Sequence, residues 1–128
     1  MLEVDVLGTA LFAARVEELA TVALGSAGID EGHLAVAFVD AGRIAELNEQ
    51  WRDQAGPTDV LSFPIDSRGE AFGPRELGDV VICPEHTIDL EEAVVHGVLH
   101  LVGMDHETDA GEMLAVQAQI LAWTRPAA

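Results

Sequence analysis

Between His96 and His106 the chain carries histidines at i, i+4 and i+10 in an otherwise largely apolar stretch, and no other segment restricts the fold as tightly. The first two lie one turn apart on one face of a helix. Gly103 can take the left-handed conformation that ends a helix, so the chain can turn back and set His106 beside them. Val94, Val95, Val98, Leu99, Leu101 and Val102 cover the remaining faces. Such a helix is buried on most sides and only its histidine stripe stays polar. The other elements must therefore pack around it, and the buried imidazoles need a common ligand to offset their desolvation.

Three neutral imidazoles converging on one point leave the fourth corner of a tetrahedron open for water, the arrangement of a catalytic rather than a structural zinc site. Cys83 and His86 precede the helix and His33 sits in another element, so no residue close in sequence closes the site. His96, His100 and His106 are the expected ligands of one ion. Imidazole also suits nickel, copper and iron, and only the prevalence of zinc in hydrolases favours Zn2+. The spacing H-x-x-x-H-x-x-G-x-x-H is shared with metzincin proteases, whose first histidine is followed by a glutamate general base. Here that position is Gly97, so a metallopeptidase is the second reading rather than the first.

The rest of the chain supplies alternating strand and helix patterns. Leu2–Leu7 has the period-2 alternation of a strand with one wet face, and Phe12, Val16, Leu19 and Ala23 recur at helical spacing before Gly25. Leu34–Val39 has the length and composition of a buried strand, ended by Asp40, Ala41 and Gly42, and Ile44, Leu47 and Trp51 resume the helical period. A Gly-Pro loop leads to a strand over Val60–Ile65. Ser67–Arg75 predicts a turn or flap, and Asp79–Ile82 a further strand, the two strands forming a possible hairpin. Asp89 with Glu92, and Asp109 with Glu112, resemble capping boxes for the histidine helix and a last helix. The buried stripe of that last helix is expected at Met113, Val116, Ile120 and Trp123, ahead of Pro126. The expected fold is a single α+β domain spanning residues 1–128, a mixed sheet of about four or five strands with helices packed against it and the metal-site helix at the centre.

Composition limits the partners. A chain of 128 residues with 49% apolar residues can bury a core without disulfides, and its lone cysteine, Cys83, fits a reducing compartment such as the cytoplasm. No apolar run is long enough to span a bilayer, and Glu3 and Asp5 stand where a secretory signal would carry basic residues. The formal net charge is -17, with 23 acidic residues against six basic ones. All six are arginine. Such a surface repels nucleic acid at long range, so RNA binding calls either for Arg52, Arg68 and Arg75 to gather near the metal in a local positive cleft or for a ribosomal partner to supply the affinity.

Several separated blocks nevertheless resemble one family. His96-Gly97-Val98-Leu99-His100-Leu101-Val102-Gly103-Met104-Asp105-His106 meets every fixed position of H-G-x-L-H-L-x-G-x-D-H, the signature of the YbeY endoribonucleases, ribosomal RNA maturation factors of bacteria. Pro57–Pro64, Leu47-Asn48 with Arg52, and Leu77–Cys83 resemble it too, so the likeness runs from about Leu47 to the final helix. It implies zinc on the three histidines, an arginine in the same cleft, and a single-strand-specific cut near the 3′ end of small-subunit ribosomal RNA, in maturation and quality control. Two departures stand out: only 12 residues separate Cys83 from His96, implying a shortened helix or loop, and Gln117 stands where a glutamate is expected.

Within that frame Arg52 is the expected catalytic partner, because a guanidinium spans two phosphate oxygens and stabilises developing charge. Asp105 is expected to fix the tautomer of a ligand imidazole or to assist proton transfer. Asp59 and Ser62 are candidate cleft residues, although Asp59 equally suits a cap after Pro57 and Ser62 a backbone-satisfying role. Ribosomal RNA is the expected partner, with small-subunit ribosomal proteins as a further one. A third reading, a metal-braced assembly factor without catalysis, draws on the acidic surface.

Overall fold

A computed structural model describes residues 2–65 and 76–125. The expected flap at Ser67–Arg75, including Arg68 and Arg75, lies outside the described residues. The strands are β1 (Leu2–Leu7), β2 (Gly32–Phe38), β3 (Val60–Pro64) and β4 (Glu76–Ile82), and the helices are α1 (Ala13–Ser26), α2 (Ala41–Arg52), α3 (Leu90–Leu101) and α4 (Glu112–Thr124). The sheet order is β1-β2-β4-β3, with β1, β2 and β4 parallel and β3 antiparallel to β4. This is the expected α+β arrangement with a mixed sheet. No described helix is long and apolar enough to cross a membrane.

Period-2 alternation sorts the side chains into two layers. Val80 and Ile82 of β4 join Leu34 and Val36 of β2 in a large cluster with α1, α3 and α4, while Val81 and Cys83 pack with Ile44 of α2 and Leu61 of β3. The unbroken apolar run Val80-Val81-Ile82 is therefore covered on both faces, as parallel strands require. Helix α3 contacts α1, α4, β3 and β4, which makes it the hub of the main layer. At its start the Asp89 side chain accepts from the Glu92 N–H. Arg15 of α1 and Arg125 beyond α4 both reach Glu91 on the first turn, and the hydrogen bond from Arg15 leads in holding the Glu91 carboxyl down to about 2. The short link after Cys83 is a single 3-10 turn, Pro84–His86, and after three intervening residues α3 starts at Leu90.

Several local expectations are corrected. Asp40 does not merely end a strand: its side chain accepts from the Arg43 N–H and starts α2 at Ala41, the preferred use of aspartate before a helix. Phe12 is the N-cap of α1 and 87% exposed. Trp51, on the last turn of α2, is 64% exposed and meets Phe63 edge-on. Trp123 is 80% exposed, and the buried stripe of α4 runs through Met113, Gln117, Ile120 and Leu121. A helix that turns Gln117 inward carries residue 123 roughly 120° round the axis, so the tryptophan faces out.

On the sheet face opposite the main cluster, His33 of β2 bridges its neighbours. Its Nδ1 lies 2.8 Å from Glu76 of β4 and its Nε2 2.7 Å from Asp5 of β1. Those hydrogen bonds, the one to Glu76 foremost, raise the imidazole pKa to about 9. A folded-state pKa above the unfolded value of about 6.5 stabilises the fold fully below pH 6.5, and that contribution disappears as pH rises through about 9. Urea midpoints measured from pH 6 to 10 should show the wild type losing its advantage over H33Q across that window. A pH-independent difference would remove this role.

Candidate metal centre

The sequence builds the centre from one helix end and the turn after it. His96 and His100 project from the same face of α3, and the helix closes at Val102. Gly103 has φ of +99°. Its N–H bonds the His100 carbonyl at 3.0 Å and the Met104 N–H bonds the Leu99 carbonyl at 3.1 Å, the paired closure of a Schellman motif. The chain then reverses. The Asp105 carbonyl accepts from the N–H groups of Thr108 and Asp109, and the Asp105 side chain accepts from the Glu107 N–H, so the turn bearing His106 is held by its own backbone. Asp109 next accepts from the Gly111 and Met113 N–H groups and leads into α4.

The outcome is a convergent triad. One ring nitrogen from each of His96, His100 and His106 lies within 4.8 Å of the other two, and the Nε2 atoms of His96 and His100 are 3.2 Å apart. Tetrahedral coordination with metal–nitrogen bonds of about 2.0–2.1 Å puts ligand nitrogens roughly 3.3 Å apart, so the donor set fits a single ion with small adjustments. Burial first, and then the like charges of His96 and His106, hold the His100 imidazole below its ordinary pKa. That favours the neutral form a metal ligand needs.

The outer contacts differ from the expected ones. Asp105 is exposed, and its hydrogen bonds go to its own turn. The described side chain that contacts one of the three histidines is Gln117 of α4, whose amide oxygen accepts from His96 Nδ1 at 2.8 Å. In the sequence Gln117 stands out only as a departure from the family pattern. The signal available was a lone amide in the apolar stripe of α4.

Arg52, at the end of α2, lines one cleft of about 440 Å³ together with Ser62, His100, Asp105 and His106. The guanidinium has no ion-pair or hydrogen-bond partner among the described residues, whereas Arg15 and Arg125 are both bound to carboxylates. Ser62 lines the cleft from β3 but spends its hydroxyl on the Gly97 carbonyl at 2.7 Å. Asp59 is not in this cleft. It borders an adjoining pocket of about 250 Å³ on the far side, with His86, His96 and Gln117, and its carboxylate accepts from the Thr58 hydroxyl and the Val60 N–H at the start of β3.

Gly97 explains the absent glutamate. The residue is buried against the sheet, where an added Cβ would lie 2.4 Å from Val80 Cγ1 and 3.1 Å from Val60 Cγ2. A side chain following His96 would point into β3 and β4 rather than toward the histidines.

Comparison with known proteins agrees with this geometry. The family model described as Endoribonuclease YbeY matches residues 7–125. The chain belongs to this family. A relative named Endoribonuclease YbeY from Salinispora tropica is 40% identical over 125 residues, covering 78% of this chain and 80% of its own. One of the same name from Rubrobacter xylanophilus is 42% identical over 120 residues, covering 89% and 86% respectively. The solution structure of TM1509 from Thermotoga maritima superposes with a TM-score of 0.54 at 28% identity, covering 94% of this chain and 87% of that one.

Replacing Gly97 by alanine should lower stability by about 1–3 kcal/mol, the cost of overpacking a tight core, read as a fall in the urea midpoint with the slope unchanged. An unaltered midpoint would mean that α3 can move away from β4 without loss.

Proposed function

We propose that the protein is a zinc-dependent endoribonuclease that cuts single-stranded ribosomal RNA near the 3′ end of the small-subunit species, as part of its maturation and quality control. One observation carries the reading: Arg52, whose guanidinium has no partner among the described residues, shares a cleft with two histidines of an open three-histidine centre. Family membership supports the cut in RNA, since the relatives are named endoribonucleases. The specific RNA and the choice of zinc rest on the resemblance and on imidazole chemistry.

His96, His100 and His106 would hold the ion, which when bound supplies Lewis acidity and a lowered pKa for water. The remaining work falls to side chains of the cleft. Arg52 can donate to two non-bridging oxygens of a phosphodiester and stabilise charge that builds up on them. Asp105 has one carboxylate oxygen engaged by the Glu107 N–H, which leaves the other as a proton acceptor in the cleft. Ser62 acts through the helix, fixing the Gly97 carbonyl and with it the turn that carries His96 and His100. Asp59 belongs to the approach beyond His96 rather than to the Arg52 side.

The net charge of -17 favours a second contribution, contact with basic small-subunit ribosomal proteins that bring the RNA to an otherwise repelling surface. The peptidase reading has no such support, because the position of its general base is filled by the sheet.

Purified wild-type protein should carry about one equivalent of transition metal by elemental analysis and should cut a single-stranded ribosomal RNA fragment. His100→Ala should lose both properties. R52A should keep the metal and cut at least about 10²-fold more slowly, the usual loss when one donor to developing charge is removed. Equal turnover in R52A would take the arginine out of the mechanism. Cleavage of casein but not RNA would restore the peptidase reading, and cleavage of neither would leave the assembly-factor role.

A further inference from the structure

Helix α4 has one polar residue in its buried stripe. Gln117 is 8% exposed, between Met113 and Ile120 or Leu121, which are all buried. Burying an amide there costs free energy unless it is hydrogen-bonded, and a leucine would fill the stripe without that cost. The contact that offsets the cost is the 2.8 Å hydrogen bond to His96 Nδ1.

This contact has a defined polarity. Within the triad, His96 presents Nε2, which lies 3.2 Å from Nε2 of His100. An imidazole that offers Nε2 as a lone pair must carry its proton on Nδ1, and a proton on Nδ1 requires an acceptor. The amide oxygen of Gln117 is that acceptor. Asp105, the residue that sequence reasoning nominated for this task, spends its hydrogen bonds on its own turn.

We infer that Gln117 is the positioning residue of the metal centre: its amide oxygen locks His96 in the Nδ1–H tautomer and aims Nε2 at the ion. The amide carries no charge, so it orients the imidazole without adding an anion next to the site. A carboxylate at 117 would keep the orientation and add electron density to the ligand, whereas an apolar residue of similar size would keep the packing and lose the orientation. The inference rests on the three-histidine metal reading but not on the RNA reading, since metal binding can be measured without RNA.

The test uses the full chain with Gln117→Leu and Gln117→Glu. In metal-free wild-type protein, nitrogen-15 spectra of the histidine rings should show His96 protonated at Nδ1. In Q117L that signature should be lost and zinc affinity, measured against a competing chelator, should fall about 10- to 100-fold, the range found when partners behind metal-bound histidines are removed. Q117E should bind zinc at least as tightly as the wild type. Circular dichroism and the urea midpoint establish that Q117L is folded. The inference is overturned if folded Q117L binds zinc within about twofold of the wild type, or if wild-type His96 carries its proton on Nε2. The second result decides the matter even if Q117L fails to fold. If instead no variant and no wild-type sample binds zinc, the metal reading itself fails, an outcome distinct from wild-type protein that binds zinc and leaves RNA uncut.

Discussion

Helix α3 lies against β3 and β4 at a separation set by a missing side chain. With no Cβ at Gly97, the helix backbone comes down onto Val80 and Val60, and the Ser62 hydroxyl reaches the Gly97 carbonyl. That seating fixes the rotation of the helix about its axis. Because residue 97 faces the sheet, residues 96 and 100 are carried to the groove between β3 and α4, where their rings meet His106. A larger residue at 97 would lift the helix and swing both imidazoles out of register. The same contact excludes a glutamate there, so packing and chemistry are settled by one position.

The sequence was most legible where a local pattern leaves few alternatives. The i, i+4, i+10 histidines and the Gly103 turn were readable because every interaction that shapes them falls within a few residues, down to the Schellman closure. The same holds for the Asp89 cap. The wet face of β1 followed from its hydrophobic alternation, and antiparallel pairing of β3 with β4 from their adjacency. What escaped the reading depended on contacts distant in sequence. In sequence Gln117 is marked only as a departure from the family pattern, and its partner, His96, lies 21 residues away. The outward turn of Trp51 and Trp123 depends on which helix face meets the core, and hydrophobicity alone names the wrong residue when a polar one is needed inside.

Charge is distributed with the same economy. Arg15 and Arg125 gather Glu91, Glu18 and Asp89 around the start of α3, tying α1 and the end of α4 to the helix that carries the ligands. Carboxylates near a helix N-terminus are favoured by its dipole, so this network steadies the end of α3 opposite the histidines. Arg52 is left without a carboxylate partner among the described residues. Arg43 is in the same position, but only Arg52 of the two lies beside the histidines, where the proposed phosphodiester substrate would meet a local positive charge on an otherwise acidic chain.

All three histidines fall within an eleven-residue span, and this has a thermodynamic consequence. An unfolded chain keeps that short peptide intact, with its imidazoles never far apart. It would therefore retain some affinity for any ion that the folded triad takes up, and binding to the unfolded state subtracts from ligand-induced stabilisation. With the proposed ion, the rise in melting temperature on adding metal would then understate the affinity of the folded centre, unlike a site whose ligands are drawn together from distant strands.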